Sequence, residues 1–148
     1  MSPSAMKPAK LPWVSPYLVV SDVKKAMDFY ATAFDLKKGM AYAEPGGRPF
    51  YGELFYQDSI VMVGLPQAGR KTASRHRPGG VTLYCYTDDI DALVARAVAA
   101  GAKVAHELTD QFWGDRTCLL IDPDGHAWMW ATHVKDVDLP EMTERIFL

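Results

Sequence analysis

Four histidines, His76, His106, His126 and His133, are the first residues to weigh for acid–base or metal chemistry. They form no HxH, HxxxH or HExxH pattern, so no two fall on one turn of a helix or one face of a strand to share an ion. Spacing leaves open only a site assembled from distant strands. His76 lies in a basic loop and reads as solvated, His106 and His126 read as edge or surface residues, and His133 ends a strand. Gly46-Gly47 and Gly79-Gly80 are isolated pairs that match neither a P-loop nor a dinucleotide fingerprint, and no GxSxG anchors a nucleophilic serine. Cys85 and Cys118 sit in apolar segments without a CxxC spacing, as buried thiols of a reducing compartment would.

One segment is unusual. Gln111–Arg116 (QFWGDR) packs two aromatic rings, a glycine, an acid and a base into a loop entering a strand. Two readings are open. In one it is a turn, with Trp113 plugging the core and Gly114 supplying an uncommon backbone conformation. In the other Trp113 walls a cleft and Arg116 meets an anionic or carbonyl group of a ligand.

Hydrophobic period supplies the elements that must position these residues. Trp13–Val20 is β-rich. Val23, Ala26, Met27, Tyr30, Ala33 and Phe34 form one helical stripe, opened by Ser21 or Asp22 as N-cap. Leu36–Ala43 is a strand, and residues 50–65 are two strands about a turn at Gln57–Asp58. The order then repeats: a strand at Val81–Thr87, a helix with its stripe at Ile90, Leu93, Val94, Ala97 and Val98, Gly101 as the residue after it, and three strands. The last two are joined by Asp122-Pro123-Asp124-Gly125. A shift of about 66 residues lays one half on the other, so an internal duplication of a βαβββ unit is predicted. The fold class is α+β.

Residues opposite each other in a hairpin share a face. The first turn sets Phe55 against Ile60, Leu54 against Val61 and Glu53 against Met62. Leu54, Val61 and Val63 then lie under the helix, with Tyr51, Glu53, Phe55, Ile60 and Met62 on the opposite side. In the second half the predicted pairs are Ile121 with His126, Leu119 with Trp128, Cys118 with Met129 and Arg116 with Ala131. They assign Leu119, Ile121 and Trp128 to the helix side, and Arg116, Cys118, Leu120 and Met129 to the other. An apolar face carrying a few polar groups suits a small molecule; the plainer reading is a solvated rim around a dimer interface.

The chain has 148 residues, 49% apolar and 23% charged, with a net charge of −2. That suits one ordinary globular domain and gives no general attraction for nucleic acid or anionic lipid. The short basic run Arg70–Arg77 reads as a solvated loop. No apolar stretch approaches the length of a bilayer span, and Met1–Pro12 lacks the apolar run of a secretory leader. The expected organisation is a flexible arm (1–12), a single domain of two modules (13–66 and 80–134) and a C-terminal tail (135–148), in the cytoplasm.

Three stretches together, PYLVVSDVKKAMDFYATAFDL, YTDDIDALVARAVAAGAKV and DQFWGDRTCLLIDPDGHAWMWATH, resemble the vicinal-oxygen-chelate superfamily of glyoxalases, bleomycin-resistance proteins and extradiol dioxygenases. The QFWGDR loop resembles the branch of the phosphonate-operon B protein. The resemblance implies two βαβββ modules forming an open, incompletely closed barrel around a cleft, commonly in a homodimer. Metal-using members draw His, Gln or Glu ligands from positions that fall here on Ser15, Met62, Thr82 and Met129. Hydroxyls and thioethers are a poor set for a hard or borderline divalent cation, so neither metal nor cofactor is expected.

The function this implies is metal-free binding of an aromatic or amphipathic small molecule. Tyr17, Met62, Tyr84, Trp113 and Met129 would pack on the ligand, and Glu53 and Arg116 would orient its polar groups; no catalytic residue is assigned. The alternatives are a glyoxalase-like lyase or isomerase, or a dioxygenase relative, with non-standard ligands such as Glu53 and a histidine, and a module binding another protein. A homodimer is expected in each case.

Overall fold

The computed structural model describes residues 7–9, 11–66 and 80–137. The chain divides into two compact units, Met1–Ser74 and Arg75–Leu148. The basic loop with His76 and most of the C-terminal tail and N-terminal arm lie outside the described residues.

The first unit runs β1 (Tyr17–Val19), α1 (Val23–Phe34), β2 (Lys37–Ala43), β3 (Pro49–Tyr56) and β4 (Ser59–Gly64). The Asp22 carboxylate caps α1 by accepting from the Lys25 N–H, and Asp35 ends it in the left-handed conformation. The whole predicted stripe is buried, and Phe29 joins it, packing edge-on against Tyr30 and Phe34. The sheet order is β1-β4-β3-β2, with β1 parallel to β4 and the rest antiparallel. Phe55 faces Ile60, Leu54 faces Val61 and Glu53 faces Met62, as the two-residue turn predicts. Leu54, Val61 and Val63 are buried beneath α1. Gly52 lets α1 approach closely, because a Cβ there would run into the Met27 sulfur.

The second unit runs β5 (Thr82–Tyr86), α2 (Ile90–Ala100), β6 (Lys103–Asp110), β7 (Asp115–Ile121) and β8 (Ala127–His133), in sheet order β5-β8-β7-β6. Asp89 caps α2, and Gly101 (φ +113°) ends it. Ile90, Leu93 and Ala97 are buried, but Val98, predicted to be in the stripe, is exposed. Trp128 and Trp130 are fully buried and stacked (6.3 Å). Each sheet is open, and the outer strands β2 and β6 are largely exposed along their length.

The predicted register of β7 and β8 is corrected by one residue. Ile121 pairs with Ala127, Leu120 with Trp128, Leu119 with Met129, Cys118 with Trp130 and Arg116 with Thr132. The cause is the turn. Asp122 and His126 close the hairpin through the Asp122 N–H and His126 carbonyl (3.0 Å), leaving a three-residue loop with Gly125 at φ +92°. The Asp122 carboxylate holds that loop by accepting from the N–H groups of Asp124 and His126 and from the Trp128 indole. Arg116, Cys118 and Leu120 therefore move to the helix side with Trp128, while Leu119 and Ile121 join Met129 on the other face.

Candidate functional site

In the first unit the face away from α1 carries a row of rings across the sheet. Tyr17 on β1 lies 6.1 Å from Tyr51 on β3, and Tyr51 stacks on Tyr42 of β2 at 5.9 Å. Gly64 on β4 makes the row possible: it pairs with Tyr51, and a Cβ there would occupy the place of the Tyr17 hydroxyl. Met62 is in register with both Tyr17 and Glu53. The Tyr51 hydroxyl donates to Glu53 Oε1 at 3.3 Å. Burial, then the neighbouring Glu53 carboxylate, push the Tyr51 phenol up to about 12. Tyr17, Glu53 and Met62, chosen from the sequence, thus share one face.

In the second unit Tyr84 and Met129 are in register on the face away from α2. Tyr17–Met62 and Tyr84–Met129 are the same parallel pair in the two modules, 67 positions apart. The predicted shift of about 66 holds from the helix ends, where Asp35 matches Gly101 because α2 is one residue shorter than α1, through β3 and β7, and the longer loop before β8 restores 67.

The QFWGDR segment is a hairpin loop closed by the Gln111 N–H and the Asp115 carbonyl at 2.7 Å. Gly114 has φ +100°, and a Cβ there would strike the Lys135 carbonyl oxygen. Trp113 does not plug the core; it is 37% exposed. Its indole N–H reaches the Tyr84 hydroxyl (3.1 Å) and Asp115 Oδ2 (3.2 Å). Arg116, expected to meet a ligand on this face, turns the other way: it binds Asp110 on β6 (2.7 Å) and Asp91 on α2 (3.3 Å). Adjacent strand residues point to opposite faces, and the one-residue register shift selects Asp115 for this face.

Asp115 is the residue that sequence reasoning missed. It is 1% exposed. Its Oδ2 accepts from Tyr84 (2.6 Å) and Tyr86 (2.8 Å) as well as Trp113, and its Oδ1 lies 2.9 Å from His133 Nδ1. Burial alone would raise its pKa, but the bonds from Tyr84, His133, Tyr86 and Trp113 outweigh burial and hold the carboxyl below its usual range. Burial, aided by the bond to Asp115, pushes Tyr84 up to about 12. His133 Nε2 lies 2.7 Å from Asp136; that contact first, and Asp115 second, raise the imidazole. With both nitrogens engaged, His133 has none left to take a proton from a substrate.

A metal ion, which the superfamily resemblance brings into question, does not suit the donors present. Met62 and Met129 offer thioethers, and Ser15 and Thr82 hydroxyls; the Ser15 hydroxyl is buried with no hydrogen-bond partner among the described residues. Such a set lacks the carboxylates and imidazoles a divalent cation requires. Among the described residues no group of three or more His, Cys, Asp or Glu side chains is placed to hold a metal ion, the Asp115–His133–Asp136 chain included. Burial pushes the Cys85 and Cys118 thiols up to about 11, away from thiolate chemistry.

Fold and site together define a paired-βαβββ protein whose sheet faces carry aromatic rings and single acidic groups. Residues 10–130 match the model of the Glyoxalase/Bleomycin resistance protein/Dioxygenase superfamily, and the chain belongs to it. Over 136 residues it is 38% identical to the uncharacterized protein Rv0887c of Mycobacterium tuberculosis, a match covering 88% of this chain and 80% of that one. It is equally similar to the uncharacterized protein Mb0911c of Mycobacterium bovis, covering 90% of that chain. Among solved structures it resembles TioX from Micromonospora sp. ML1 (25% identity, TM-score 0.64, 82% of this chain and 99% of that one). It also shares its fold with TnmS3, an antibiotic binding protein from Streptomyces sp. CB03234 (24% identity, TM-score 0.60, 87% and 98%). The two-module α+β fold expected from the sequence is the one observed. Among the described residues no helix is long and apolar enough to cross a membrane.

Proposed function

We propose that this protein binds an aromatic or amphipathic small molecule against the sheet faces turned away from its helices, and does so without a metal. One observation carries the reading. Four tyrosine rings remain 44–54% exposed: Tyr17 and Tyr42 in one unit, flanking Tyr51 whose hydroxyl donates to Glu53, and Tyr84 and Tyr86 in the other, whose hydroxyls donate to Asp115. Covering the face of one such ring contributes on the order of 2 kcal/mol, so several must act together to reach micromolar affinity. Met62, Met129 and Trp113 add polarizable and indole surface, and Glu53 takes the role of orienting polar groups. Arg116, tied to Asp91 and Asp110, does not reach this face, where the buried Asp115 instead orients the Tyr84, Tyr86 and Trp113 side chains that a ligand would meet.

The antibiotic-binding role of TnmS3 illustrates what the fold accommodates. The engaged nitrogens of His133 favour the binding reading over a lyase or dioxygenase one. We group the chain with the phosphonate-operon B branch on its QFWGDR loop, and assign it to the cytoplasm as a homodimer independent of nucleic acid and membrane.

Native mass spectrometry of protein purified without denaturation tests the proposal. A non-covalent organic adduct is expected. Stoichiometric nickel, zinc or iron whose chelation unfolds the protein would overturn it, and light scattering that finds a monomer at micromolar concentration would remove the dimer.

A further inference from the structure

The geometry points to an organic ammonium group as the ligand feature recognised in the second unit, held by Tyr84, Tyr86 and Trp113 in front of the buried Asp115 carboxylate. This inference rests on the small-molecule reading and names the chemistry of one part of it.

The rings radiate from a common centre. Tyr84 and Tyr86, at i and i+2 on β5, share a face and lie 5.6 Å apart with their planes at 60°. Trp113 joins them through its N–H, and Phe112 packs edge-on against Trp113 at 4.9 Å. Both tyrosine hydroxyl protons and the indole proton are directed inward at Asp115. With their protons so committed, the phenol oxygens offer only acceptor lone pairs, one of which at Tyr84 already takes the Trp113 N–H, and a donor is the complementary partner for what remains. Tilted aromatic faces around a charged centre also attract cations through the ring quadrupole.

The charge balance agrees. Arg116, the base next to Asp115 in sequence, is on the opposite face with Asp110 and Asp91. His133 is shared between Asp115 and Asp136, so a protonated imidazole still leaves one negative charge in the group. Asp115 is buried behind the rings, so a ligand meets its field without displacing its hydrogen bonds. A neutral ligand gains only the ring contacts there, and an anion is repelled.

Titration of the ¹⁵N-labelled full chain with three small probes, read at the Trp113 indole N–H, tests this. The probes are benzylammonium, its near-isostere benzyl alcohol, and phenylacetate. Benzylammonium is expected to saturate with a Kd about tenfold below that of benzyl alcohol, with phenylacetate causing no shift at Trp113. Tyr86→Leu and Asp115→Asn should each weaken benzylammonium by about fivefold or more. If Asp115→Asn does not fold, Tyr86→Leu alone decides. Benzyl alcohol binding as tightly as benzylammonium, or benzylammonium leaving Trp113 unmoved, would overturn the ammonium assignment. Shifts at Tyr17 and Met62 in the same spectra would leave the broader binding reading standing, whereas spectra unchanged everywhere would count against both.

Discussion

Replacing Asp115 with Asn asks whether one buried carboxylate organises the aromatic cluster. Its oxygens face four groups: Tyr84, Tyr86 and Trp113 at one, His133 at the other. An amide of the same shape keeps one acceptor and makes the other atom a donor, so one side of the cluster loses its partner. Hydrogen bonds to a charged group contribute about 1.5–3 kcal/mol each. The donors at Oδ2 are 37–54% exposed and can turn to water, so the equivalent of one bond, not four, is the fair measure. A loss of about 2–3 kcal/mol follows, lowering Tm by roughly 5–10 °C for a chain of this length. The loss also has a pH signature. Asp115 titrates in the folded state below its ordinary 3.8, so its contribution is present above that value and disappears as pH falls through the folded pKa. Urea unfolding should show a deficit in the variant that grows as His133 gains its proton, is steady between about pH 6 and 5, and narrows below about pH 4. A deficit under about 0.5 kcal/mol at neutral pH, within the range of ordinary surface substitutions, or one that does not narrow in acid, would refute the reasoning.

Three further outcomes are expected. Gly114→Ala forces a side chain at φ +100° into the Lys135 carbonyl and should cost about 2–4 kcal/mol in urea or thermal unfolding. Gly64→Ala meets only the mobile end of Tyr17, so it should change stability by less than about 1 kcal/mol while weakening an aromatic ligand several-fold, as paired melting and titration would show. His133 should titrate above 6.5 in histidine ring NMR, and Asp136→Asn should bring it down. Because its folded pKa is raised, its stabilising effect is full below about 6.5 and lost as pH rises through the folded value.

The first hairpin was legible because a two-residue turn fixes its register, which placed Tyr51, Glu53 and Met62 on one face from sequence alone. The second was misread by one residue. Asp-Pro-Asp-Gly reads in the sequence as a four-residue connection, whereas the Asp122 N–H bonds the His126 carbonyl across a three-residue loop in which Gly125 takes the left-handed region. That shift moved Arg116 off the candidate face. Asp115 was hidden for a related reason: an acid beside an arginine in a polar loop suggests a solvated pair. Two signals for it were present. Tyr84 and Tyr86 share a face by period 2, and neighbouring Asp115 and Arg116 cannot both point the same way on a strand. The stripe of α2 was overdrawn at Val98 because periodicity marks a helix face without fixing its width.

The most direct test of the account is to map where aromatic small molecules touch the protein, by ¹H–¹⁵N and methyl NMR with a fragment set at millimolar concentration. Shifts are predicted to cluster at Tyr17, Glu53, Met62, Tyr84, Trp113 and Met129, with the helix-side residues Leu54, Leu120 and Trp128 unmoved. Shifts confined to other surfaces, or none at all, would contradict the assignment of these sheet faces as the binding site.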